Sequence, residues 1–160
     1  MTFSAYVAVV GGSNPSDDEL GAAHAIGYEL ARRGALVVCG GLSGVMEAVC
    51  AGAKEGGGTT VGLLPGDDRA AANRFVDVAL ATGLGEARNT IVARAVDVVV
   101  AVGGEFGTLS EIAFALRAGT PVVGLGTWEL RRRGRPVDAI VAASSPRDAV
   151  ETALRLARGR

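Results

Sequence analysis

The sequence predicts an α/β protein: a single three-layer α/β/α Rossmann-like domain spanning residues 1–160, with a mainly parallel sheet of six or seven strands. Two observations carry that expectation. Short unbroken runs of β-branched and small apolar residues read as strands buried on both faces, as in a parallel sheet covered by helices. These runs alternate with helical stretches and end on glycine pairs at Gly11-Gly12, Gly40-Gly41 and Gly103-Gly104, while a fourth ends on Pro65-Gly66. In such sheets ligands bind beyond the carboxyl ends of the strands. Glycine there lets backbone N–H groups approach a ligand, so one crevice built for an anion such as phosphate is expected.

The elements follow in order. Tyr6–Val10 is a strand, and Asp17–Arg33 a helix opened by a capping box, Ser16 with Glu19 three residues on. Asp17 and Asp18 complement its dipole, and Gly34 closes it. Strand Leu36–Cys39 leads to a helix over Gly44–Lys54, ended by three glycines, and strand Thr60–Leu64 follows. Asp67–Asn73 is polar and reads as a loop or short helix over the crevice. Phe75–Ala79 is a weaker strand, Glu86–Ala95 a helix, and Val96–Val102 the strongest strand. Thr108–Ala118 reads as a helix with a second capping box, Thr108 with Glu111. Pro121–Leu125 and Ile140–Ala143 complete the sheet, and Pro146–Arg158 is a helix with proline near its first position.

Composition narrows the function. Hydrophobic residues make up 49% of the chain but aromatics only 4%, so the core is built of Val, Ala and Leu. A formal net charge of −1 gives no support to nucleic acid or an anionic membrane as partner. The run Arg131–Arg133 with Arg135 is a local exception and reads as a solvated loop or helix end. Cys39 and Cys50 have no metal-ligand spacing, and Cys39 reads as a core thiol. No signal-peptide pattern and no bilayer-length apolar run is seen, so a cytoplasmic, soluble chain is expected.

Several site chemistries are excluded. The dinucleotide fingerprint fails after Gly11-Gly12-Ser13, and Lys54, the only lysine, lies in no P-loop. That lysine sits at the far end of its helix, which argues against a pyridoxal-phosphate enzyme. Ser43 lacks the glycine of a nucleophile elbow. His24, the only histidine, is mid-helix, which disfavours a Ser-His-Asp triad or a histidine metal site. No metal and no cofactor is expected; carboxylate, arginine and backbone chemistry remain.

Two side chains then stand out. Arg88 falls in the first turn of a predicted helix, where a cation meets the positive end of the dipole at a cost of about 0.3–1 kcal/mol. Either it is aimed at an anion in the crevice or it pairs with a neighbour such as Glu86. Glu111 either completes the capping box or lies beside the Gly103–Thr108 anion loop, and the residues alone leave these two readings even.

The stretch Gly103-Gly104-Glu105-Phe106-Gly107-Thr108-Leu109-Ser110-Glu111 resembles the P-G-G-x-G-T-x-x-E signature of the Lonely Guy family, with Val102 in place of the proline. These are cytokinin-type nucleoside 5′-monophosphate phosphoribohydrolases, formerly labelled lysine decarboxylases. Ala87-Arg88-Asn89 is similar to that family's E-R-K segment. The resemblance implies Arg88 and Glu111 as catalytic residues and Gly103, Gly104, Gly107 and Thr108 as the phosphate loop. The glycine edges add Gly11, Gly12, Ser13, Gly40, Gly41, Ser43 and Gly44 as ligand-binding residues, together with Asn89. Segments Gly40–Glu47 and Gly85–Glu111 resemble the molybdenum-cofactor carrier proteins, which share the fold. The expected activity is cleavage of an N-glycosidic bond to give free base and ribose 5-phosphate; the alternative is a non-catalytic carrier of molybdenum cofactor or a nucleotide. The expected partner is a nucleotide or other phosphorylated small molecule. The resemblance also implies a homodimer or higher homo-oligomer, paired through the helices around Arg88 and Ile112–Leu116.

Overall fold

The computed structural model describes residues 2–159. Strands β1 (Tyr6–Gly11), β2 (Leu36–Cys39), β3 (Thr60–Leu64), β4 (Val78–Ala81), β5 (Val98–Val102), β6 (Val122–Leu125) and β9 (Ile140–Ala142) form one sheet. Its order is β4-β3-β2-β1-β5-β6-β9, and every pairing is parallel. The two remaining strands, β7 (Arg131–Arg132) and β8 (Arg135–Pro136), pair antiparallel as an exposed hairpin, so the arginine cluster is a protruding arm. Strand order reverses between β1 and β5, which puts the topological switch point at the carboxyl ends of those two strands.

Alternation along the strands divides the core in two. Val7, Val9, Val37, Val98 and Val100 face one side and pack under α1 (Asp17–Arg32), α2 (Val45–Glu55) and α5 (Pro146–Ala157). Ala8, Val10, Val38, Val99 and Ala101 face the other, under α3 (Asn89–Arg94) and α4 (Phe106–Ala118). Successive strand residues point to opposite faces, so unbroken apolar runs are what a sheet covered on both sides requires. Helices α1 and α2 approach closely: a methyl on Gly27 would land on the Val49 carbonyl, and one on Gly52 on the His24 carbonyl. His24 itself lies on α1, with Nε2 3.0 Å from Glu55 Oε2.

Several expected boundaries move: β5 begins at Val98 rather than Val96, and three further changes accompany it. The weak strand begins at Val78, and Asp77 before it donates its amide to the Thr60 hydroxyl at 2.9 Å. Its carboxylate accepts from Lys54 Nζ at 2.7 and 2.9 Å, from the Thr60 amide at 2.9 Å and from the Thr60 hydroxyl at 3.2 Å. Partial burial raises the Asp77 carboxyl, but the hydrogen bonds from Lys54 and Thr60 outweigh it and hold it below its ordinary value. The helix expected over Glu86–Ala95 is a 3-10 turn at Gly85–Arg88 followed by the short α3. Helix α4 starts at Phe106, two residues before Thr108.

That last shift removes the second capping box. The N-cap of α4 is Glu105, and no side chain caps this end. Thr108 sits at the third helical position and Glu111 lies in the helix interior, buried. The first capping box is present as expected: Ser16 Oγ accepts from the Glu19 amide at 3.2 Å, and Glu19 Oε2 accepts from the Ser16 amide at 2.9 Å.

Candidate functional site

The turn between β5 and α4 builds one wall of a crevice. Gly103 and Gly104 take φ of +51° and +99°, values that side-chain-bearing residues rarely adopt. A methyl on Gly103 would strike the Glu19 carboxylate, and one on Gly104 the Thr108 side chain. The turn thus packs against the capped start of α1 and delivers α4 with its first amides uncapped. The first amides of a helix have no intrahelical acceptor, and the dipole adds positive potential, so this end suits an anion.

The crevice, of about 360 Å³, lies at the ends of β1 and β5. Gly11, Gly12 and Ser13 form one rim, and Glu105, Gly107, Thr108 and Glu111 the opposite wall. Arg88 and Asn89 close it from the 3-10 turn and the start of α3. Asn89 Nδ2 donates to Ser110 Oγ at 3.1 Å, and Ser110 Oγ donates to the Gly107 carbonyl at 2.6 Å, which ties α3 to the first turn of α4.

Arg88 is buried, with its Nη1 3.7 Å from Glu111 Oε1. The pairing with Glu86 considered from sequence does not form; the partner lies 23 residues away on α4. Among the described residues Arg88 Nε is buried without a hydrogen-bond partner. The guanidinium rests against Gly40, where a methyl would meet both terminal nitrogens. Burial pushes the Glu111 carboxyl up to about 7, against the pull of Arg88. Glu111 therefore changes charge near neutrality.

Of the expected ligand residues, Gly11, Gly12, Ser13, Asn89, Arg88, Glu111, Gly107 and Thr108 line the crevice, and six others do not. Gly103 and Gly104 shape the loop behind it, Gly40 seats Arg88, and Gly41 packs against Leu64 and Gly62. Gly44 caps α2, whose Val45 amide donates to the Gly12 carbonyl at 3.1 Å, and Ser43 is exposed outside the lining. Leu42, Met46, Pro65, Glu86 and Glu105 line the crevice without having been expected to. Pro65 opens the Pro65-Gly66 pair on which the fourth strand run ends, and that signal could have found it. Three carboxylates face a single arginine here, so an anion would be held mainly by main-chain amides and the dipole.

Cys39 and Cys50 are free and buried, with sulfurs 3.4 Å apart, and Cys39 Sγ accepts from the Gly41 amide at 3.3 Å. The hydrogen bond with Cys50 lowers the Cys39 thiol, and the same contact together with burial pushes Cys50 well up. Among the described residues no three His, Cys, Asp or Glu side chains are grouped to hold a metal ion. No helix among them is long and apolar enough to cross a membrane.

Comparison with known proteins places the chain in a family. The profile of the SLOG cluster4 family matches residues 4–150, nearly the whole chain. The chain belongs to the SLOG cluster4 family. An uncharacterized protein of Archaeoglobus fulgidus is 40% identical to it over 119 residues, 74% of this chain and 78% of that protein. Among solved structures, the molybdenum cofactor carrier protein of Chlamydomonas reinhardtii is 34% identical with a TM-score of 0.84, covering 97% of this chain and 98% of its own. The molybdenum cofactor binding protein of the phototrophic bacterium Rippkaea orientalis is 35% identical with a TM-score of 0.83, covering 92% and 93%. The resemblance to the Lonely Guy and molybdenum-cofactor carrier superfamily is borne out at the level of family and fold. One detail needs correction. Aligned on Gly107-Thr108, two residues separate Gly104 from Gly107 where the Lonely Guy signature has one. Gly103 then stands at the signature's proline and Glu105 at its second glycine, which is how a third carboxylate enters the crevice.

Proposed function

We propose that this protein binds and carries a phosphorylated small molecule of the molybdenum-cofactor class in the crevice at the ends of β1 and β5. The observation that carries the reading is the uncapped start of α4 beside a buried arginine whose Nε has no partner. Amides of the first turn would take the phosphate, and Arg88 would supply a further donor to the same ligand. The likeness to molybdenum cofactor carriers over nearly the full length of both chains supports the ligand class. The test is to incubate the purified protein with molybdenum cofactor released from a denatured molybdoenzyme and pass it through gel filtration. Molybdenum and pterin co-eluting with the protein are expected. Their absence, with a known carrier retaining both in parallel, would refute the reading.

A second reading, phosphoribohydrolase activity on nucleoside 5′-monophosphates, is favoured by one specific observation. Glu111 is buried beside Arg88 and has no capping role, so its carboxylate is available to stabilise positive charge on a ribose in an oxocarbenium-like transition state. Chromatographic detection of free base after incubation with nucleoside monophosphates decides it. In either reading the chain pairs with a second copy through the face of α3 and α4, where Ile91 and Phe114 are exposed. Sedimentation at micromolar concentration tests the pairing, and a monomer would overturn it.

A further inference from the structure

Beside the crevice lies an aromatic pair that the anion seat does not use. Phe106, the first residue of α4, is 78% exposed, more than any other large apolar side chain among the described residues. Its ring packs against Trp128, with centroids 5.7 Å apart and an interplanar angle of 36°. The segment carrying Trp128 is tied to the loop itself. Trp128 Nε1 donates to the Glu105 carbonyl at 3.3 Å, and Thr127 Oγ1 donates to the Gly103 carbonyl at 2.5 Å. Two main-chain acceptors of the β5–α4 turn therefore hold a tryptophan against an otherwise bare phenylalanine. Leaving a phenylalanine in water forgoes most of its burial energy, so an exposed ring fixed in place suits an apolar or planar occupant.

Glu105 and Gly107, the neighbours of Phe106 on either side, both line the crevice. Phe106 and Trp128 do not line the crevice themselves; the pair stands outside it, next in sequence to Glu105 and Gly107 and joined to the loop through Trp128 Nε1, with Trp128 lining a second cavity. Glu105 is exposed, and among the described residues its carboxylate takes part in no hydrogen bond or ion pair. A carboxylate there can accept two hydrogen bonds from adjacent N–H groups on the edge of a planar ring. The unpartnered, buried Arg88 Nε is an independent sign that the crevice awaits a ligand.

We propose that Phe106 and Trp128 form the platform on which the ligand's planar heterocycle stacks, while Glu105 accepts from the ring's N–H and amino edge. The chain would then select a phosphorylated 2-amino-4-oxo heterocycle, a pterin or a guanine, over an adenine. This deepens the carrier reading and rests on its anion seat. It sorts the ligand's parts: phosphate on the α4 amides, ring on the aromatic pair, polar ring edge on Glu105.

The experiment compares ribose 5-phosphate, adenosine 5′-monophosphate and guanosine 5′-monophosphate by calorimetry, with emission of Trp128, the chain's single tryptophan, as a second readout. Wild type is expected to bind the guanine nucleotide about tenfold or more tighter than ribose 5-phosphate, the scale of one stacked base. The adenine nucleotide should fall between them. Trp128 emission should change with the nucleotides and not with the sugar phosphate. Phe106→Ala should bring the adenine nucleotide down to the ribose 5-phosphate level, weaken the guanine nucleotide by a similar factor, and leave the sugar phosphate's affinity unchanged. Glu105→Gln should bring guanine to the adenine level. Equal binding of all three ligands by wild type overturns the platform while leaving the anion seat standing. Loss of ribose 5-phosphate binding in Phe106→Ala makes the ring a structural support and also overturns it. A guanine preference that survives Glu105→Gln removes the edge assignment. Conversion of a dimer to a monomer by Phe106→Ala, with nucleotide affinity unchanged, shows that a second copy covers the pair instead. If wild type binds none of the three, the anion seat fails and the platform fails with it.

Discussion

Replacing Glu111 by glutamine removes a charge from a buried position while keeping nearly the same shape. The carboxyl is raised from its ordinary 4.5 to about 7 because burial penalises the anion more than Arg88 favours it. At about 1.4 kcal/mol for each tenfold change, this amounts to about 3 kcal/mol in favour of the neutral form. The sign follows from linkage. The folded state holds this proton more tightly than the unfolded chain, so stability is greatest below pH 4.5 and falls as pH rises through 7. Glutamine has no such dependence. Glu111→Gln should match wild type near pH 4.5 and exceed it by about 3 kcal/mol at pH 8. In a chain of this length that is about 6–12 °C in Tm. Breaking a buried ion pair ordinarily costs about 3–5 kcal/mol, because a charge is left alone. Here the pair is loose, at 3.7 Å, and the upward displacement of the carboxyl means that desolvation outweighs attraction. Urea and thermal melts of both proteins from pH 4.5 to 8.5 measure the difference directly. A difference that does not change with pH, or a variant that loses stability relative to wild type at pH 8, would refute the reasoning.

Other outcomes follow from the same structure. Sulfate, which does not titrate in this range, should bind the crevice more tightly below pH 7, where Glu111 is neutral. Calorimetry should show this trend in wild type and a flat profile in Glu111→Gln. Arg88→Ala should weaken sulfate binding by about tenfold to a hundredfold, the worth of one hydrogen bond to a charged group, with fold checked by circular dichroism. Gly27→Ala should cost about 1–3 kcal/mol, because the methyl strikes the Val49 carbonyl, whereas Gly21→Ala, on open α1 surface, should gain up to about 1 kcal/mol in urea melts. Asp77→Asn should flatten the acid limb of the stability profile. The lowered Asp77 carboxyl contributes stability above its ordinary range that is lost as pH falls through its lowered value, and acid titration of both proteins checks this.

The sequence by itself determined whatever is decided within a few residues. Strands β2 and β3 fall on the expected residues because apolar runs bounded by glycine and proline are local signals. The Ser16–Glu19 box reads correctly because both partners sit within one turn. The same local pattern misled at Thr108–Glu111. A Thr-x-x-Glu spacing is compatible with a cap, but the left-handed turn at Gly103-Gly104 starts α4 two residues earlier and turns Glu111 inward. No local rule could choose, since the helix start depends on how that turn packs against Glu19. Only the tertiary structure brought Arg88 to Glu111, left Arg88 Nε unpartnered, seated the guanidinium on Gly40 and held Trp128 against Phe106. Those contacts join residues about 20 or more positions apart on separate strand-to-helix connections. They exist because the strand order sets β2, β1, β5 and β6 side by side, so that their carboxyl ends open on one edge.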